Sequence, residues 1–412
     1  MIIANSKSVP IGFSAVYISI CHFTLKGLRL LVRLLRGVLF AWCVLHFDQA
    51  AAQSIEQKGL PFITNYRYQD YNADGVNWWV EEDSHGVMYF ANSVGILTFD
   101  GQHWGLIKPN GNLETRSLVK GLDGKIYVGT NGDLGFMDTK GKLQFVSLKD
   151  KLPEQHRTFG EVWEAQLIEG KVVFRTIYKI FEWDGTSFKI IESKEPFHVG
   201  GSVNGKYYCR IWNRGLCVQQ GDSFHVVPNG GRFATERIYA LLPYDNNRML
   251  IGTRTQGLFI YDGKDFVPFK TEADPYIFNT SLYGGLVLSN GLIALNTFND
   301  GMVIIDHQGK LIQRIDKSVG LQDNSVDNLF EDSRGNLWMP LFNGIAKIDL
   351  QSALTYYNEA QGLPAKTVFT IGFNNDFMYA GTNNGVFVLN KSTNRFEKVN
   401  GTSGQIGNFL IN

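Results

Sequence analysis

The chain has 412 residues, with 39 basic and 39 acidic side chains and a formal net charge of +0, a balance that argues against a nucleic-acid surface. Glycine is abundant (44), proline scarce (11) and aromatics reach 13%, which excludes a disordered chain and suits many short strands joined by tight turns. The 44% hydrophobic content is ample for a large core.

The first 52 residues stand apart. They hold five basic residues (Lys7, Lys26, Arg29, Arg33 and Arg36) against Asp48 alone, which leaves 34 basic and 38 acidic residues in the rest. Arg29, Arg33 and Arg36 precede an apolar run from Gly37 to Phe47, and Ala50-Ala51-Ala52 supplies a small-residue cleavage pattern. The segment 1–52 is expected to be a secretory signal-peptide helix cut after Ala52, the run being short for a membrane span; an uncleaved anchor is the alternative. Residues 1–27 are long for its basic region and read as a start-site extension. Export implies a periplasmic location.

Beyond the leader, related units recur. Phe62 to Tyr66 alternates as a lone strand. The first unit, Asn77 to Ile107, carries Glu82-Asp83-Ser84-His85-Gly86, Met88-Tyr89-Phe90 and Asp100-Gly101. The second, Thr115 to Leu148, carries Asp123-Gly124 and Ile126-Tyr127-Val128-Gly129-Thr130. The third (Val162 to Ile191), fourth (His198 to Pro228), fifth (Ile238 to Phe269) and sixth (Thr280 to Ile315) keep parts of this pattern. The seventh, Val326 to Tyr357, is the clearest: a Glu331-Asp332-Ser333-Arg334-Gly335 turn, Leu337-Trp338-Met339, then Asn343-Gly344, a strong hairpin signal. The eighth runs from Val368 to Val399, and Ile406 to Asn412 reads as the first strand of a ninth unit.

The first-turn glycines Gly86, Gly124, Gly170, Gly205, Gly291 and Gly335 place the period near 40 residues, the blade length of a β-propeller. The expected fold is all-β, with four-stranded blades packed around a channel. Seven blades are preferred, with Phe62–Tyr66 completing the closing blade, and eight are the alternative. The expected domains are 53–361 for the first propeller and 362–412 for the start of a second propeller or an eighth blade. Tyr89, Tyr127, Trp338 and Tyr379 share one repeat position and are expected between blades. Cys209 and Cys217 flank an Asn213-Arg214-Gly215 turn that sets them side by side, as a disulfide in an oxidising compartment or as two reduced core thiols.

The motif Glu331-Asp332-Ser333-Arg334-Gly335-Asn336-Leu337-Trp338, followed by Asn343-Gly344-Ile345, resembles the two-component regulator propeller repeat. Asp123 to Gly132 and Tyr379 to Val386 are similar to it, and Asn77 to Trp104 resembles a first blade. Repeats three, four and six depart: Val173-Phe174-Arg175 and Cys209-Arg210-Ile211 stand where the family has an aromatic-x-Gly-Thr run. The resemblance covers roughly residues 60–412. It implies the periplasmic sensor region of a Bacteroidetes-type regulator, with further domains of the same receptor, a homodimer, and a histidine kinase, phosphatase or DNA-binding output beyond the segment.

There is no Gly-rich phosphate loop opening a helix, Walker lysine or GxSxG elbow, and the histidines have no metal-ligand spacing. No cofactor, metal or catalytic set is expected. Glu81-Glu82-Asp83 reads as turn chemistry. Residues that break the repeat are better site candidates. Arg175, Trp212, Arg214 and Arg254 lie just past second strands; Trp78, Trp79, Trp163 and Tyr239 lie near first-strand starts. Arginine forks read carboxylates or sulfates, and flat aromatics stack on sugar faces. The expected partner is therefore a glycan or a small anionic ligand, with surface and core roles as the alternative. A periplasmic enzyme acting on polysaccharide and a protein-interaction scaffold are the competing functions.

Overall fold

The computed structural model describes residues 59–408 apart from 110, 112, 353, 365, 366, 375, 376 and 392. The expected leader, 1–52, lies outside the described residues, as does the end of the ninth-unit strand. Within the described residues, no helix is long and apolar enough to cross a membrane.

The first turn of each blade is built by the residues that mark the repeat. Gly86, Gly124 and Gly335 have φ of +81°, +77° and +77°, which glycine adopts without a Cβ clash. The turn aspartate does two things at once. In the seventh blade Asp332 accepts from the backbone N–H of Arg334 and Asn336 (3.0 and 2.8 Å) and from the indole N–H of Trp338 at 2.8 Å. Asp83 and Asp123 repeat the pattern, accepting from the hydroxyls of Tyr89 (3.4 Å) and Tyr127 (3.2 Å). Each of these aromatic rings is buried, while its polar tip is satisfied by the turn of its own blade. Tyr379, at the same position of the eighth sheet, is half-buried.

Eight four-stranded antiparallel sheets result. Among the described residues seven of them take their strands in chain order; the first six have inner strands Asn77–Glu82, Thr115–Lys120, Glu164–Ile168, Phe197–Val203, Ile238–Pro243 and Leu282–Val287. Blade seven is made of Phe330–Glu331, Asn336–Leu341 and Gly344–Asp349, and its outer strand comes from the start of the described chain, Ile63–Tyr66. That strand pairs antiparallel with the third strand, Ile63 opposite Ile348 and Tyr66 opposite Ile345.

Seven apolar clusters occupy the seven junctions between successive blades. The cluster of Leu118, Val128 and Ile96 joins blades one and two, and that of Leu337, Met339 and Ile304 joins six and seven. Trp338 and Ile345 pack with Val80, Phe90 and Leu97 between blades seven and one, so the ring closes. Tyr66 stacks on Trp338 with ring centroids 5.9 Å apart. Glu82 of blade one accepts from the N–H and hydroxyl of Ser333 in blade seven, at 2.7 and 2.9 Å. The eighth sheet, Val368–Asn374 to Arg395–Lys398, has a cluster of its own around Ala380, Leu389 and Phe396.

Cys209 and Cys217 face each other as register partners on adjacent strands of blade four. Both are free and buried. Each thiol lies against a backbone carbonyl of its own strand, Arg210 at 3.6 Å and Gly215 at 3.7 Å. Burial pushes both thiols above their ordinary value, which suppresses the thiolate that disulfide exchange requires.

Two outcomes follow. Trp338→Ala, which empties the closing junction and strips Asp332 of its indole partner, is expected to cost about 3–5 kcal/mol in urea unfolding. A thiol titration of the unreduced protein should find Cys209 and Cys217 unreactive when folded and both reactive in denaturant.

Candidate functional site

Five of the seven inner strands begin with a shift in register. Pairing in blade one skips from Asn77 to Trp79, in blade two from Thr115 to Ser117, in blade five from Ile238 to Ala240 and in blade six from Leu282 to Gly284. Blade four shifts between Phe197 and Gly200. In blade three the residue before the strand, Trp163, donates its N–H to the Arg175 carbonyl at 2.9 Å, and in blade seven Asp327 donates to Pro340 at 3.0 Å. A bulge leaves one residue outside the ladder and re-aims its side chain. Here the re-aimed residues are Trp78, Arg116, His198, Tyr239 and Tyr283, and they line one central cavity of about 860 Å³ together with Trp163 and Asp327 from the matching positions of blades three and seven. That size is in the range of about 300–1,000 Å³ typical of small-molecule sites.

The side chains of this collar are held by one another. The Arg116 guanidinium lies between two indoles, 4.1 Å from the Trp78 ring centroid and 4.9 Å from that of Trp163. One of its nitrogens bonds Glu114 (3.1 Å) and Glu161 (2.7 Å). Its Nε and other Nη are buried and have no partner among the described residues. The His198 ring meets Trp212 and Tyr239 edge-on, with centroids 5.9 and 5.2 Å apart. Tyr239 packs on Tyr283 at 5.1 Å, and Arg237 donates to the Tyr239 hydroxyl at 3.3 Å. Below the collar, Glu164 holds Arg175 at 2.7 Å and also accepts the Gly200 N–H at 2.9 Å.

Charge is distributed unevenly around the cavity. Burial, then the charges of Arg175, Arg210 and Arg237, drives His198 down to about 3 and so keeps it neutral. On the opposite side, burial lifts Asp327 to about 8, with Asp323 adding and Arg116 opposing. Burial likewise lifts Glu81 to about 7, against hydrogen bonds from the Glu82 and Lys120 backbone and the charge of Lys120. Burial also raises Tyr283, with Asp327 adding. Trp78 Nε1, His198 Nδ1 and an Asp327 carboxylate oxygen are, like Arg116, buried without a partner among the described residues. Buried polar groups are ordinarily bonded, so these atoms make the cavity the candidate site.

Of the residues singled out from sequence, Trp78, Trp79, Trp163, Arg175, Trp212 and Tyr239 line the cavity. Arg175 is buried there with its charge already paired to Glu164. Arg214 and Arg254 are not among the lining residues. Arg214 turns back along its hairpin to the Phe224 carbonyl, and Arg254 is exposed. Glu81, read as turn chemistry, lines the cavity; Asp83 and Glu82 are the turn and closure residues. Arg116, His198, Tyr283 and Asp327 were missed. A spacing signal exists: the collar residue stands eight positions before the turn glycine in blades one, two, six and seven, and seven before it in blades three and four.

No protein-family model matches the chain, and none of the curated proteins matches it. Solved structures do. The extracellular domain of BT3049 from B. thetaiotaomicron, designated a hybrid two component system, superposes with a TM-score of 0.63 and 17% identity over 82% of this chain and 49% of that one. The fold is a β-propeller of the kind that extracellular domain carries. The corresponding domain of the hybrid two component system BT4673 from the same organism gives 0.58 and 18% over 80% of this chain and 46% of that one. Both neighbours are extracellular domains assigned to two component systems, the class the repeat motif resembles, and the chain spans about half of their length. A streptogramin B lyase, which is also similar, gives 0.52 and 12% over 70% of this chain and 97% of that one.

The cavity carboxyls have a consequence for stability. A carboxyl whose folded value lies above its unfolded value stabilises the fold fully at low pH, and that contribution is lost as pH rises through the folded value. His198, depressed when folded, acts in the opposite sense below about 6.5, its ordinary value. Between pH 6.5 and 8.5 the unfolding temperature is therefore expected to fall, with Asp327→Asn flattening the decline when scanned by calorimetry.

Proposed function

We propose that this chain is the ligand-sensing propeller region of an extracytoplasmic receptor of the two-component type, and that the ligand enters the central cavity. The observation that carries this reading is the collar itself. Four tryptophan and tyrosine side chains, a histidine, an arginine and an aspartate converge from seven different blades, and four of the seven hold buried polar atoms with no partner among the described residues. Aromatic faces and arginine forks are the equipment for a glycan or a small anionic molecule. The likeness to extracellular domains of two-component systems supports an exported location and a signalling role. The eighth sheet, with its own apolar cluster, fits the opening blade of a second ring. The kinase, phosphatase or DNA-binding output and the homodimer belong to the same proposal.

A second reading, a propeller enzyme acting on polysaccharide, is favoured by one observation: carboxyls held at about 7 and about 8 in a cavity are suited to proton transfer. Calorimetric titration of the purified chain against acidic and neutral oligosaccharides and small organic anions separates the two. Sensing predicts one site per chain, saturable binding, recovery of the ligand unchanged, and loss of binding in Trp163→Ala. Turnover of the saccharide favours the enzyme, and the absence of binding across the whole set overturns the sensing reading.

A further inference from the structure

Four of the seven collar positions have an aromatic side chain, and the sites of charge are not interchangeable with them. Arg116 and Asp327 flank blade one, at the same level of the ring, with Trp78 between them in the collar. Each offers unused hydrogen-bonding capacity: Nε and one Nη of Arg116, one carboxylate oxygen of Asp327. Arg237 adds a second guanidinium to the wall, bonded only to the Tyr239 hydroxyl among the described residues. Trp212, stacked 3.6 Å above the buried Arg210, and Tyr239 present apolar surface to the same cavity.

We propose that the collar recognises a compact acidic sugar, a ring bearing one carboxylate and several hydroxyls, with Arg116 and Arg237 reading the carboxylate and Asp327 reading a hydroxyl. This rests on the cavity being the sensor site. A planar fork is matched to a carboxylate, and the tyrosine and tryptophan walls to a sugar face. Asp327 discriminates between ligand types. Buried, close to Asp323 and facing Arg116 and Tyr283, it favours its acid form near neutral pH. An un-ionised carboxyl donates to and accepts from a hydroxyl and does not repel the ligand's carboxylate. It offers no counter-charge to an ammonium group, so free amino acids, which also match a cation-and-acid pair, are disfavoured. The cavity volume admits either a free monosaccharide acid or the acidic end of an oligosaccharide.

The test is calorimetry on the purified chain with galacturonate, glucuronate and trigalacturonate, and with galactose, glucose and glutamate as controls. The uronates are expected to bind at pH 7 at least about tenfold more tightly than the neutral sugars; tighter trigalacturonate identifies the oligosaccharide end as the source. Arg116→Gln is expected to bring uronate affinity to the neutral-sugar level. Arg237→Gln, which leaves the Glu114 and Glu161 contacts intact, should weaken uronate in the same direction. Wild-type affinity for uronate should fall as pH rises through about 8, whereas Asp327→Asn loses this fall, and Asp327→Leu loses binding. Calorimetric scans confirm that each variant is folded. Equal binding of neutral sugars, tighter binding of glutamate, or indifference to both arginine variants overturns the acidic-sugar assignment while leaving the cavity a sensor site. Failure of every ligand here and in the wider oligosaccharide and anion set overturns both.

Discussion

The pairing of Ile63–Tyr66 with Gly344–Asp349 is the contact on which the rest depends. A four-stranded blade cannot cover both of its faces, so each apolar face here is covered by the next blade. A row of blades leaves two faces bare; a ring leaves none. Drawing one strand of the last blade from the beginning of the chain turns closure into backbone hydrogen bonding, and Tyr66 against Trp338 adds an aromatic contact at the same seam. The Glu82 carboxylate, bonded to Ser333, ties the turn of blade seven to blade one. With the ring closed, the seven inner strands are fixed around an axis, and their first residues have nowhere to point but into the space between them.

That space is shaped by bulges. In an uninterrupted inner strand, residues would alternate between the two blade junctions, and the cavity would meet backbone. In five of the seven blades the extra residue breaks the alternation and frees a side chain from packing. Side chains released in this way are not needed for the core, so their chemistry varies from blade to blade while the junction residues stay apolar. The buried, unpartnered polar atoms of Trp78, Arg116, His198 and Asp327 fall at this one position, at the cost of desolvation that a purely structural collar would avoid.

The fold was legible because its determinants are local. A turn glycine with positive φ, an aspartate that bonds both the turn backbone and an aromatic tip two strand positions away, and a period near 40 residues all lie within one repeat of the sequence. Ring closure was half legible: Phe62–Tyr66 alternates like a strand, but nothing within it names Ile345 or Ile348 as partners some 280 residues later. The site was less legible for the same reason that it exists. A bulge shifts the parity of the strand, so Arg116, His198, Tyr283 and Asp327 look like ordinary alternating residues until the pairing is known. Arginines chosen because they break the repeat divided according to where their strands end: Arg175 turns inward to Glu164, while Arg254 stays in solvent.

The departures of repeats three and four also acquire a physical meaning. Where blade two has Gly129, a Cβ would come within 2.5 Å of Val162 in the neighbouring inner strand, so the blades meet backbone to side chain. Blades three and four carry Arg175 and Arg210 at the equivalent place, and both are buried. Arg175 is compensated by Glu164; Arg210 has only the Phe233 and Ala234 carbonyls and the Trp212 ring. Burial, with Arg237 adding, therefore pulls Arg210 down to about 10, and its field reaches His198, which stays neutral. A cationic imidazole at that position would repel the guanidiniums beside it and attract Asp327 and Glu81 across the cavity. Arg175 and Arg210, which depart from the repeat, thus set the electrostatics on the His198 side of the collar: cationic there without titrating, and facing the buried carboxyls of Asp327 and Glu81 across the cavity.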